Sequence, residues 1–148
     1  MAESSRRGSR GGPPNAIFVV AAAERVPEEL DGVAAELTIL FPWGSLLRGA
    51  LALDEAAPAS AGIASLLAPG GVATAIVSIE DRHGLDLPRL DDEGACEALR
   101  ERWSRHGLEL CGLRPASAAE INATGSSWGR RLRAGRERLA WRLELRRG

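Results

Sequence analysis

The sequence predicts an α/β domain on a mostly parallel sheet, and three observations lead there. Apolar runs of strand length alternate along the chain with helix-forming stretches, the order that lays helices on a sheet. The first run, Asn15 to Glu24 (NAIFVVAAAE), is continuous in its apolar character, the pattern of a strand covered on both faces. Finally, 45% of the 148 residues are hydrophobic, enough for one domain with a real core.

Residues 1–14, MAESSRRGSRGGPP, are polar and rich in Gly, Ser and Arg, so they are expected to form a flexible start ahead of a domain at 15–148. The strand from Asn15 is followed by VPEELDGVA, a short helical turn with Pro27 early and acids in its first turn. AELTILF is a second strand. The stretch SLLRGALALDEAAPASAGIASLLAPGG reads as helix in two pieces, broken by Pro58 and stopped by Pro69 and the glycines after it. VATAIVSIE is a third strand. DDEGACEALRERWSRHG is an amphipathic helix with an acidic start, Cys96, Leu99 and Trp103 at helical spacing, and Gly107 as its stop. LELCGLR is a fourth strand and SSWGRRLRAG a short basic helix. RLAWRLELR is a last strand with Leu139, Trp141, Leu143 and Leu145 on one face.

Composition excludes several function classes. No apolar run reaches 18 residues and no signal-peptide pattern opens the chain, so a soluble cytoplasmic protein is expected. Cys96 and Cys111 fall in separate elements without a C-x-x-C or a Cys/His cluster; they read as core thiols, with no metal and no disulfide framework. Charge is unevenly placed. From Ser126 to Gly148 eight arginines face Glu137 and Glu144, a balance of +6, while the preceding residues carry 11 arginines against 18 acids, or −7. Such a segment suits a phosphate-contacting surface and equally a solvated basic tail. All 19 basic residues are arginine, which weakens any argument from arginine choice alone.

Parallel sheets hold ligands at the carboxyl ends of their strands. That edge collects AAAE after the first strand, PWGS after the second and IEDRHG after the third. Trp43, between Pro42 and Gly44, stands there with Glu24; Trp128 opens the basic helix beside two serines and a glycine. Two such indoles can clamp an unstacked base; from these residues alone the simpler reading is that both are partly buried packing residues. Trp103 and Trp141 lie on apolar faces and are expected in the core.

NAIFVVAAAERVPEELDGVAAELTILFPWGSLL together with SSWGRRLRAGRER, two motifs about eighty residues apart, resembles the aminoglycoside-resistance 16S rRNA (adenine-1408 N1) methyltransferases. The resemblance runs through nearly the whole chain in order. It implies a class I S-adenosylmethionine-dependent methyltransferase (Rossmann-like) fold, with a seven-stranded sheet and helices on both faces. It implies that Trp43 and Trp128 stack on a flipped adenine, and that Ser126, Arg131, Arg136 and Arg138 hold the nucleotide and nearby phosphates. Ala23 and Glu24 would lie beside the adenine end of the S-adenosylmethionine cofactor, and Ser45, the small hydroxyl residue after the loop glycine, would join them in binding it. The partner implied is 16S rRNA in the small ribosomal subunit, met by a monomer. The adenine N1 is itself a nucleophile, so positioning and charge neutralisation matter more than a general base, and His83 and His106 are set aside as surface or cap residues.

One departure stands out. The family opens with a strand ending in D-x-G-x-G-x-G and a second strand ending in an acid, and neither is present in these residues. The chain is therefore expected to begin at the family's third strand, truncated by about two strands whose place lies between its first and second strands here. At about 4.8 Å per strand, the opening spans about 10 Å. The readings left open are an active methyltransferase whose missing half is supplied upstream, an inactive RNA-binding remnant, and a fragment with unpaired strand edges that is unstable alone.

Overall fold

The computed structural model describes residues 2–4, 14–79, 87–127 and 140–148. Its centre is a four-stranded sheet of β3 (Ala34–Leu40), β4 (Leu67–Ser78), β5 (Leu108–Pro115) and β6 (Ala140–Arg147), in the spatial order β3-β4-β6-β5. β3 and β4 run parallel, with Leu37 opposite Ala73 and Leu40 opposite Ile76. β6 is antiparallel to both β4 and β5. One parallel pair and two antiparallel ones correct the expectation of a mostly parallel sheet: β6 returns between its neighbours, and apolar periodicity carries no information on strand direction.

A separate antiparallel ribbon joins β1 (Ala2–Ser4) to β2 (Ile17–Val19). No ladder connects it to the larger sheet among the described residues. The strand expected from Asn15 to Glu24 is thus three residues long, and its end, Ala23–Arg25, is a 3-10 turn. It is not covered on both faces either, since Ile17, Phe18 and Val20 are exposed. The exposed large hydrophobics of the described chain all lie between Ile17 and Leu46.

Helix α1 (Gly44–Ala50) follows β3 directly, and α2 (Ala57–Leu66) follows a 3-10 turn at Asp54–Ala56. Pro58 sits in the first turn of α2 instead of breaking a helix, where its missing N–H has no partner to lose; the interruption comes earlier, at Leu51–Leu53. α2 gives way to β4 at Leu67, so Pro69 lies inside the strand. There the register slips, with Ala34 opposite Leu67 and Glu36 opposite Val72. The bulge lets Pro69 sit in the strand without removing a central ladder bond.

α3 (Ala95–Ser104) buries Leu99 and Trp103 as its spacing predicts. α4 (Ala118–Ala123), a six-residue helix, was not expected, although Ser117 and Glu120 form a complete capping box. The main core gathers Leu47, Leu51, Ile63, Val77, Leu99, Trp103, Leu108 and Leu143. Trp141 is half-buried against it with Leu143 and Leu145; Leu139 lies outside the described residues. Cys96 is only half-buried and Cys111 is exposed, which corrects their reading as core thiols. Cys111 takes the outward position beside the register slip of β5, while Leu110 points inward.

A second, small cluster of Phe41, Ile76, Ile121 and Ala140, with Ala116 against it, occupies the other face of the sheet. Strand parity requires this, because Ala75 and Val77 belong to the main core and Ile76 points away from it.

Candidate functional site

The site forms where β3 and β4 end. β3 stops at Leu40, and the Phe41 N–H still donates to the Ile76 carbonyl at 2.7 Å. Phe41 then adopts φ 48, a left-handed conformation that a bulky side chain rarely takes, and Gly44 adopts φ 59. The departure persists because the Phe41 side chain is buried in the second cluster. Between the two reversals Pro42 is buried and Trp43 is thrown outward, 75% exposed. Trp43 is extended and serves as the residue before α1, its carbonyl accepting the Leu47 N–H at 3.4 Å. An indole this exposed contributes little to the core, and that decides against the packing alternative.

Glu24 and Ser45, far apart in sequence, meet here. A hydrogen bond from Ser45, then from its own backbone N–H, then the charge of Arg25, hold the Glu24 carboxyl below its ordinary range. Both residues are exposed, and Ala23 beside them is half-buried. The turn at Ala23 lies so close to α2 that a Cβ on Gly62 would come within 1.7 Å of the Ala23 carbonyl oxygen. Only glycine allows that approach. Between this turn and β3 runs a groove of about 260 Å³ with an almost wholly apolar lining that includes Val19, Ala22, Ala23, Leu37, Ile39 and Leu46.

Ser126 follows α4. Its N–H donates to Thr124 Oγ1 at 3.1 Å, and that hydroxyl donates to the Ile121 carbonyl at 2.7 Å. At the other end of α4, Glu120 is gripped through both carboxylate oxygens by Arg114, one contact at 2.8 Å, and accepts the Ser117 N–H at 2.8 Å. Arg142 stands 3.7 Å away. The Arg114 hydrogen bonds, with that from Ser117, pull the Glu120 carboxyl down to about 2.

The structure thus brings Glu24 and Ser45 into contact and places Ala23 beside them. Trp43 stands at the same end of the sheet. Trp128, Arg131, Arg136 and Arg138 lie outside the described residues, as does His83. Of the eight C-terminal arginines, Arg142, Arg146 and Arg147 are described, and Arg142 is occupied by Glu120 and by Glu144 at 3.4 Å. His106, expected as a surface or cap residue, is half-buried with its ring edge-on to Trp103 at 5.8 Å. The residues missed from sequence are Phe41, Glu120 and Ile121. For Glu120 the S-x-x-E spacing was a usable signal; nothing local marks the backbone reversal at Phe41. Among the described residues no cluster of His, Cys, Asp and Glu could hold a metal, and no helix is long and apolar enough to cross a membrane.

A family model described as NpmA, 16S rRNA (adenine(1408)-N(1))-methyltransferase, matches residues 1–146. A protein of that name from Streptoalloteichus hindustanus is 32% identical over 147 residues, covering 93% of this chain and 65% of its own length. An rRNA methyltransferase from Saccharopolyspora hirsuta is 38% identical over 136 residues, covering 88% and 85%. Among solved structures, the 16S rRNA methyltransferase KamB superposes with a TM-score of 0.81 at 31% identity, over 97% of this chain and 67% of that one. The W203A mutant of the Catenulisporales acidiphilia 16S rRNA (adenine(1408)-N(1))-methyltransferase with cosubstrate SAM gives 0.79 at 29%, over 97% and 66%. The chain therefore spans about 65% of the Streptoalloteichus relative.

Proposed function

The chain belongs to the 16S rRNA (adenine(1408)-N(1))-methyltransferase family, with the α/β fold of its solved members, and from that premise we propose that it carries the target-recognition part of an enzyme methylating N1 of adenine 1408 in the small ribosomal subunit. Aminoglycoside resistance would follow from that modification, with the protein acting in the cytoplasm as a monomer. The observation that carries this reading is Trp43, an indole 75% exposed at the end of a parallel strand and held there by a buried, left-handed Phe41. A flipped base stacked on that face gains about 1 to 3 kcal/mol. Trp128 would supply the opposite plate, Ser126 a polar contact to the nucleotide, and Arg131, Arg136 and Arg138 the phosphate contacts.

The residues present fit one part of S-adenosylmethionine. Glu24 and Ser45, hydrogen-bonded to each other and next in sequence to Ala23 and Leu46 of the apolar groove's lining, suit its adenine end. For the methionine end no D-x-G-x-G loop exists in the 148 residues. When bound, the cofactor supplies an electrophilic methyl group. The residues of this chain hold the adenine with its N1 lone pair free to react and need no general base.

That absent loop favours a second reading for the chain on its own, RNA binding without methyl transfer. Small subunits incubated with the chain and S-adenosylmethionine separate the two by reverse transcription. A Trp43-dependent stop at adenine 1408 indicates methyl transfer. A Trp43-dependent footprint without a stop indicates recognition alone. The absence of both signals would overturn the proposal. Calorimetry on the 148-residue chain should show weak or no S-adenosylmethionine binding, and a micromolar dissociation constant would refute the partial fit.

A further inference from the structure

The second hydrophobic cluster joins two segments that are distant in sequence and both assigned to the target base. Phe41 enters it from the loop that presents Trp43, and Ile121 enters it from α4, five residues before Ser126. Ile76 and Ala140 form its floor on the sheet. Backbone bonds pin both arrivals: the Phe41 N–H to the Ile76 carbonyl at 2.7 Å, and the Ala116 N–H to the Ala140 carbonyl at 2.8 Å.

α4 depends on this joint. A helix of six residues has no stability of its own, and Ile121 is its one buried residue. Its start is held by the Ser117 capping box and by Arg114 and Arg142 around Glu120. Its end passes to Ser126 through Thr124, whose hydroxyl donates to the Ile121 carbonyl at 2.7 Å and accepts the Ser126 N–H at 3.1 Å. Moving Ile121 therefore moves Ser126.

We infer that Phe41 and Ile121 are positioning residues for target recognition: the cluster they form sets the spacing between the Trp43 face and the Ser126 segment, and so the slot into which the base fits. This rests on the reading of Trp43 and Ser126 as base contacts. A rigid side-chain joint suits the task because stacking is sensitive to ring separation, whereas an exposed loop fluctuates. The cluster lies on the opposite sheet face from the main core, so a lesion in that core should leave the joint's geometry alone.

The test uses the full 148-residue chain and small subunits reconstituted with 16S rRNA carrying either adenosine or an abasic site at position 1408. The readout is the ratio of the two dissociation constants, which does not change with the fraction of folded protein. In the wild type the abasic subunits should bind at least about fivefold more weakly. Trp43→Ala should bring the ratio close to one. Ile121→Ala should do the same although Ile121 touches no base, and Ile121→Val should restore most of it. Leu99→Ala, a fully buried deletion in the main core, should lower the melting temperature and keep the wild-type ratio.

If Trp43→Ala collapses the ratio and Ile121→Ala leaves it intact, the joint is refuted and the base-contact reading survives. If Leu99→Ala collapses it as well, general loosening explains the effect and the joint is refuted. A wild-type ratio of one, or one unaffected by Trp43→Ala, overturns the base-contact reading and the joint with it.

Discussion

Trp103 and Trp43 carry the same side chain into opposite surroundings. Trp103 lies on the inner face of α3 with no exposed surface, its Nε1–H donating to the Ala50 carbonyl at 3.2 Å and the His106 ring meeting it edge-on. Trp43 stands between two backbone reversals, 75% exposed. The region around Trp103 is saturated, with the indole's apolar area and its one donor both satisfied. The region around Trp43 places buried residues on either side of the loop, Phe41 and Leu47, and keeps the indole out. The difference separates tryptophan as core from tryptophan as recognition surface, and it lies in the backbone conformation, since indole chemistry is the same in both.

The largest effect is expected at Trp103. Trp103→Ala should lose about 3 to 5 kcal/mol, a fall in melting temperature of about 10 °C or more, through a lost aromatic and an unpaired Ala50 carbonyl. Trp43→Ala should change the melting temperature by no more than about 2 °C, yet weaken binding to subunits carrying adenine 1408 by about 5- to 150-fold, as loss of a base stack requires. Trp43→Phe should keep part of that binding because a smaller ring still stacks. Parallel thermal melts and binding titrations decide, and a Trp43→Ala melt as low as that of Trp103→Ala would return Trp43 to the core.

The basic segment provides a milder contrast. Replacing Arg131, Arg136 and Arg138 with alanine should lower the slope of log affinity against log salt by about 2 to 3, while Arg142→Ala should leave the slope nearly unchanged because Glu120 and Glu144 already occupy that guanidinium. Equal slopes for the triple variant and the wild type would remove the phosphate assignment.

The smallest effect lies at Glu120. Its folded pKa, about 2, is below the ordinary 4.5. Its stabilising contribution is therefore complete above about pH 4.5 and is lost as the pH falls towards 2. Melting curves of Glu120→Gln should be flatter over that window than those of the wild type, and superimposable pH dependence would show that the Arg114 pair contributes nothing measurable at this exposed site.

Much of the fold was legible. α3 was readable because Leu99 and Trp103 repeat at helical spacing, and β3 and β5 because their apolar runs match strand length. The failures share a cause. Proline, the strongest local signal, puts the helix break at Pro58, although a first-turn proline is compatible with a helix and the break lies at Leu51–Leu53. Pro69 reads as a stop and so delays the expected start of β4, although a bulge admits it and the strand begins at Leu67. In the site, the flanking Pro42 and Gly44 mark Trp43 as a loop indole, and the strand-end rule brings the Glu24 and Ser45 loops to one edge; their cofactor role comes by resemblance, and no spacing rule predicts their direct contact.

By itself the sequence determined that strands and helices alternate, which helical face is buried, and that F-P-W-G and the S-S-W segment belong to one family. These are properties of neighbours within a few residues, where periodicity and turn chemistry act. Tertiary structure alone decided that β6 runs antiparallel between β4 and β5, that Ser45 reaches Glu24, and that Phe41 and Ile121 share one cluster. Those are contacts between distant segments, whose free energy depends on which faces meet once the sheet has formed, and no local preference in the chain encodes it.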